Sequence, residues 1–188
     1  MQTSNEAQNT HRAQITPNPH ESFAKESNLA QWLEEGNQLF HHGEFDEAIL
    51  AFNNTNDDYM EAVAMAYKLR EVARDIPVSV TRRRREAFLS AACSLEYCGK
   101  TARSAEEERT HYAAAARCYA EINRHQDVVR ALKLANMFTE AASYYSDNNL
   151  IDKAVSVIKQ PEAQVDPHTT ECIKDVARMS YQGSKDIE

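Results

Sequence analysis

The chain has 188 residues, of which 42% are hydrophobic and 27% are charged, and its formal net charge is -8 at pH 7. This length supports one ordinary domain, and the acidic balance argues against a nucleic-acid backbone as the default partner. Only four glycines and five prolines are present, which disfavours strands joined by tight turns and favours long helices.

The composition also bears on the cellular compartment. No apolar run approaches the roughly 18 residues that span a bilayer, and the N-terminal region lacks the apolar core of a secretory signal. The four cysteines lie in helical patterns without the C-x₂-C spacing of a zinc or redox site, and they are Cys93, Cys98, Cys118 and Cys172. We expect buried free thiols in a soluble intracellular protein, cytoplasmic or nuclear, with no membrane partner.

The first segment, residues 1–27, is polar, rich in Asn, Gln and Thr, and contains two prolines. Such a composition cannot offset the conformational entropy lost on folding. The sequence therefore predicts a disordered tail over 1–27 and a helical-repeat domain over 28–188.

The segment 28–56 has the pattern of a helical hairpin. Apolar residues recur at helical spacing from Leu29 to Phe40, and Gly43 is predicted to end the first helix in the left-handed conformation. A second helix is predicted to begin at Asp46, directly after this turn.

This hairpin resembles a tetratricopeptide repeat, which has an aromatic residue, a small residue four positions later, and Tyr or Phe, Ala and Phe in its second helix. The matching residues are Trp32, Gly36, Leu39, Gly43, Phe45, Ala48 and Phe52. Glu35 departs from the pattern, and one unit of 34 residues later Ala66 and Arg70 replace the aromatic residue and the glycine.

Longer helices are predicted over 58–122. Helical spacing predicts one helix over 58–74, which Pro77 prevents from continuing, and another from about Ser79 to Cys98. Gly99 is predicted to end the second of these. Ser104 and Glu107 form an S-x-x-E capping box that opens a third helix, reaching to about residue 122.

The region 115–160 repeats with a period of 13 residues. Two small residues open each unit, an apolar residue stands at position five and an asparagine at position nine, as in Ala115, Ala116, Tyr119 and Asn123. Positions one, two and five share one helical face, and asparagine tolerates the left-handed conformation that ends a helix. Each unit is therefore predicted to be one short helix and a turn, with Tyr119 and the equivalent Tyr145 in the core.

The last predicted helix covers 166–183 and caps the array. Asp166 and Pro167 are typical of a helix start, Gly183 is predicted to end the helix, and its apolar stripe is Cys172, Val176 and Met179. The complete pattern predicts an all-α fold, a right-handed α-solenoid of short antiparallel helices similar to tetratricopeptide repeats.

The Ala-Ala-x-x-Tyr units that follow the hairpin resemble the helical-repeat region of large fungal helicase-like proteins, similar to TPR and ankyrin repeat-containing proteins, over about residues 28–160. This resemblance implies that the chain is a non-catalytic arm of such a protein or a free-standing relative of that arm. Gly99-Lys100-Thr101 is similar to part of a phosphate-binding loop, but residue 94 is Ser where that loop needs Gly. We expect no nucleotide, metal or other cofactor, and no enzymatic activity.

The preferred function is a protein–protein interaction scaffold that binds a protein or peptide, and the alternative is the accessory arm of a helicase-like protein. A run of arginines could form a basic patch for an acidic partner or nucleic acid, and two tyrosines outside the 13-residue register are candidates for a binding surface. These candidate partner-binding residues are Arg82, Arg83, Arg84, Arg85, Tyr112 and Tyr144. Four consecutive helical residues point to different sides, which favours a solvated helix start over one coherent nucleic-acid surface.

Overall fold

A computed structural model of the chain describes residues 19–185, with side-chain surroundings for residues 28–180. The described part is entirely helical, as predicted, and contains no strand. Its nine helices are α1 (Pro19–His42), α2 (Phe45–Thr55), α3 (Asp58–Asp75), α4 (Thr81–Lys100), α5 (Ala105–Ala120), α6 (His125–Leu134), α7 (Phe138–Asp147), α8 (Ile151–Ile158) and α9 (Pro167–Lys185). Residues 1–18 of the predicted tail lie outside the described residues, whereas residues 19–27 belong to α1.

Five of the joints between helices use the same turn, two to four residues long. One residue with positive φ ends the first helix, and the next residue is already the N-cap of the second. The positive-φ residues are Gly43 (82°), Asn56 (53°), Asn123 (56°), Asn136 (56°) and Asn149 (57°). The left-handed conformation predicted for Gly43 and for the three asparagines of the 13-residue register is therefore confirmed.

Hydrogen bonds explain why this short turn is stable. At the joint between α6 and α7, the amide of Asn136 donates to the carbonyl of Lys133 at 2.9 Å, and the amide of Met137 donates to the carbonyl of Leu132 at 2.9 Å. This pair of bonds is the Schellman motif, which satisfies carbonyl groups at the helix end. The same pair occurs at all five joints, so the chain reverses direction within two to four residues.

The buried positions follow the 13-residue register. Positions one, two and five are buried in the first three units: Ala115, Ala116, Tyr119, Val128, Val129, Leu132, Ala141, Ala142 and Tyr145. Tyr119 and Tyr145 are 3% and 8% exposed, which confirms their predicted place in the core. In the fourth unit Ala154 is fully buried, while Val155 and Ile158 are half-buried.

Successive helices pack against each other along the whole described chain, and α7 also contacts α9. The small paired residues permit this close packing, because they let neighbouring helix axes approach to about 8–10 Å. Gly36 has this role between α1 and α2, since a Cβ atom there would lie 2.7 Å from Cε1 of Phe52.

Two predicted helix ends differ from the structure. Gly99 does not end α4 but lies buried within it, where a Cβ atom would be 3.1 Å from the ring of Tyr112. Glycine is needed here for close packing rather than for a left-handed turn. Helix α9 likewise continues past Gly183 to Lys185.

The buried face of α9 also differs from the prediction. Ile173 and Ala177 are 2% and 6% exposed and pack into the core, whereas Val176 and Met179 are 43% and 70% exposed. Cys172 is exposed as well. The predicted apolar stripe therefore faces outward, because the helix is rotated by about one residue relative to the expectation.

Candidate functional site: a groove across α3, α5 and α7

Helix α5 presents a polar stripe at the surface. Its start is set by the predicted capping box, in which the amide of Glu107 donates to Oγ of Ser104 at 3.2 Å. Arg109, Ala113 and Arg117 follow at intervals of four residues and therefore lie on one face of the helix. The two arginines are exposed and the alanine is half-buried, so this face is open to a partner.

One pocket lies between α3 and α5. It has a volume of about 390 Å³, and Tyr67 and Arg70 of α3 form one wall. The stripe on α5 forms the other wall, and Met137, at the joint before α7, also lines the pocket.

A second pocket, of about 470 Å³, lies between α5 and α7. Val128 and Leu132 of α6 line it, and Ala113 and Arg117 are shared with the first pocket, as is Met137. The wall on α7 includes Tyr144 and two carboxylates. This pocket is the more apolar of the two, since alanine, valine, leucine and methionine make up much of its lining.

A third pocket, of about 490 Å³, lies at the joint between α1 and α2 and shares Tyr67 and Arg70 with the first. Phe40 and Phe45 line it, with ring centroids 5.5 Å apart. We refer to these three contiguous pockets as the groove. It crosses α3, α5 and α7, which lets one elongated ligand contact all three helices.

The charges in the groove change sign across it. Arg70 is internally paired, since its Nη2 atom lies 3.1 Å from Oε1 of Glu71 and its guanidinium stacks 4.6 Å from the centroid of the Tyr67 ring. Arg109 and Arg117 on α5 have no carboxylate within 4 Å among the described residues.

Across the second pocket, the wall on α7 carries Glu140 and Asp147. Neither of these carboxylates has a basic partner within 4 Å in the described part of the chain. In the groove, α5 thus carries two free basic groups and one free carboxylate, Glu106, whereas α7 carries two free acidic groups.

The two tyrosines predicted at the binding surface have different positions. Tyr144 is half-buried in the groove, and its hydroxyl lies 2.9 Å from Nδ1 of His125. Burial raises the pKa of this hydroxyl. Tyr112 is only 4% exposed and packs on Gly99, so its predicted surface position is wrong. The reason is that Tyr112 lies on the face of α5 that packs against α4.

The four arginines of the predicted basic patch also differ in exposure: three are exposed and one is held by internal contacts. Arg82, Arg83 and Arg85 are exposed, and Arg82 pairs with Glu86 on its own helix. Arg84 is held by internal contacts: its guanidinium donates to the carbonyl of Ile76 at 2.9 Å and to Oε2 of Glu121 at 2.8 Å. Its guanidinium also lies over the ring of Phe88. Arg84 therefore connects α4 to its neighbours.

Polar contacts outside the groove also connect helices. Oη of Tyr59 on α3 lies 3.1 Å from Nε2 of His111 on α5, and burial lowers the pKa of this imidazole. Arg103 donates to both carboxylate oxygens of Asp57, at 2.9 and 2.5 Å, and lowers the pKa of that carboxyl. These contacts explain how the walls of the groove are held in place.

The predicted burial of the cysteines holds for Cys98 and Cys118, but Cys93 and Cys172 are exposed. Burial raises the pKa of each of the two buried thiols to about 11. Among the described residues, no three His, Cys, Asp or Glu side chains are grouped so that they could hold a metal ion. None of the described helices is both long and apolar enough to cross a membrane.

Sequence reasoning did not identify Arg109, Ala113 and Arg117 as functional candidates. Their interval of four residues was a usable signal, but many exposed helix faces have the same spacing. No family model matches the chain, and no curated protein or solved structure matches it either.

Proposed function

We propose that the chain is a non-catalytic protein–protein interaction scaffold, built as a right-handed α-solenoid, and that the groove binds a segment of another protein. The observation that carries this proposal is the continuity of the groove. Neighbouring pockets share Tyr67 and Arg70 at one boundary, and they share Ala113, Arg117 and Met137 at the next. A continuous channel across several helices suits an extended or helical peptide better than a compact small molecule.

The packing of the helices supports the solenoid. Contacts run almost entirely between helices that are neighbours in sequence, as in repeat proteins whose units stack in one dimension. Short joints connect successive helices, and in the proposed stack α3, α5 and α7 lie on the same side. This arrangement places their exposed faces side by side along the groove.

Filling the groove tests the proposal. Ala113 lines two of the three pockets, so Ala113→Phe should block it, whereas Ala62→Phe fills a separate pocket between α3 and α4 and is the matched control. The full-length protein and both variants are used in proximity labelling, with and without nuclease. We expect a defined protein set that survives nuclease, is lost with the groove variant and is retained with the control.

Two results would contradict this proposal. Equal recovery by both variants would place binding outside the groove. Recovery that disappears with nuclease would favour the accessory arm of a helicase-like protein, with the exposed arginines of α4 as the contact. Circular dichroism and thermal unfolding of each variant establish that it remains folded.

A further inference from the structure

We infer that the ligand of the groove is a protein segment with a defined charge order: an acidic residue over α5, an apolar residue next to it, and a basic residue over α7. This inference rests on the proposed function and specifies the partner. It follows from the distribution of free charges and apolar surface in the groove.

The basic part of the groove lies on α5 and is formed by Arg109 and Arg117, which outnumber Glu106, the one carboxylate of α5 that lines the groove. They are eight residues apart on α5, which places their backbones about 12 Å apart along the helix axis. Both are exposed, and neither is neutralised by an internal carboxylate, in contrast to Arg70 beside them. An acidic ligand residue would give each guanidinium the charge-assisted hydrogen bonds that the chain itself does not supply.

The second pocket, next to this basic part, is largely apolar. Ala113 lies between the two arginines, and the adjoining pocket is lined by Ala116, Val128, Leu132 and Met137. A volume of about 470 Å³ accommodates one large aliphatic or aromatic side chain. Burial of such a side chain supplies most of the binding energy, whereas the charges determine orientation and selectivity.

The acidic end is formed by Glu140 and Asp147 on α7, on the far wall of the same pocket. A reversed ligand would place its carboxylate against these two groups and its basic residue against the arginines. Like charges brought together at an interface are unfavourable. The sign change across the groove therefore defines both the composition of the ligand and the direction in which it lies.

Selection from a random library of displayed 12-residue peptides tests this inference with the full-length protein. Twelve extended residues span roughly 40 Å, which exceeds the distance across three packed helices. We expect the selected peptides to share an acidic, apolar and basic residue in one order. A synthetic peptide with that consensus should bind, and replacement of its acidic residues by Asn or Gln should weaken binding at least tenfold.

Charge reversal in the protein makes the test specific. The double variant Arg109→Glu with Arg117→Glu should select peptides that have a basic residue where the original consensus has an acidic one. The double variant Glu140→Lys with Asp147→Lys should select peptides in which only the basic residue of the consensus is replaced, by an acidic one. Arg83→Glu with Arg85→Glu is the matched control, because these arginines are also exposed but lie on α4, outside the groove. The control should select the original consensus.

The outcomes distinguish the two proposals. A consensus that depends on Ala113 but has no charge order, or that is unchanged by both charge reversals, would overturn the inference and leave the scaffold proposal standing. If no peptide were enriched above the Ala113→Phe variant, the groove itself would not be a peptide-binding site and both proposals would fail.

Discussion

Gly36 and Phe52 are in such close contact that the glycine cannot be enlarged without moving the aromatic ring. A Cβ atom at Gly36 would lie 2.7 Å from Cε1 and 2.8 Å from Cδ1 of Phe52, which is fully buried. This contact determines how closely α1 approaches α2. It therefore also affects the third pocket of the groove, which lies at the joint between these helices.

Gly36→Ala should destabilise the protein although alanine is the better helix former. The gain in helix propensity is about 1 kcal/mol, whereas overpacking a core contact costs about 1–3 kcal/mol. We expect a net loss of about 1 kcal/mol in the free energy of unfolding, measured with urea. In a Phe52→Leu background, Gly36→Ala should lower the free energy of unfolding by less. An equal loss in both backgrounds would disprove the steric explanation.

The conformation of Asn136 predicts opposite effects for two substitutions. Its φ of 56° is unfavourable for alanine by about 1–2 kcal/mol but readily adopted by glycine. Asn136→Ala should lower the free energy of unfolding by about 1 kcal/mol, and Asn136→Gly should leave it unchanged or raise it. Thermal unfolding of both variants measures this, and the same stability for Ala and Gly would contradict a role of the left-handed turn.

Within the run of arginines at 82–85, we expect substitution of Arg84 to lower the free energy of unfolding most. Arg84 is tied to the end of α3 and to Glu121 of the turn after α5, so Arg84→Ala should cost about 2 kcal/mol because it removes several charge-assisted hydrogen bonds. Arg83→Ala and Arg85→Ala should change stability by less than about 0.5 kcal/mol, as is usual at exposed positions. Chemical denaturation of the three variants tests this order, and equal effects at all three would refute it.

Stability should fall in mild acid because of His111. The imidazole is 5% exposed, and burial lowers its pKa below the usual 6.5, although the Glu107 carboxylate opposes this shift. The folded protein therefore binds this proton less readily than the unfolded chain does. Its contribution to stability is present above about pH 6.5 and is lost as the pH falls through the lowered pKa.

The measurement is urea unfolding between pH 7.5 and pH 5. His111→Gln should reduce the loss of stability over this range, because the buried titrating group is gone. His42→Gln, at an exposed position at the end of α1, is the control for removal of an imidazole. A wild-type pH dependence that persists unchanged in the His111 variant would exclude His111 as its source.

Local signals in the sequence were sufficient for the helices and most of their joints. The 13-residue register placed Tyr119 and Tyr145 in the core and identified the left-handed asparagines. The capping box and the asparagine turns act within a few residues of each other, so their effects do not depend on the remainder of the fold.

The faces that remain exposed were decided only by tertiary packing. Tyr112 is buried because α4 lies against it and Gly99 leaves room for its ring, while α9 turns Ile173 and Ala177 rather than Val176 toward the stack. The groove likewise exists only because α3, α5 and α7 come together on one side. An amphipathic helix specifies which residues share a face, but its neighbours determine whether that face is covered, and those contacts join residues far apart in the sequence.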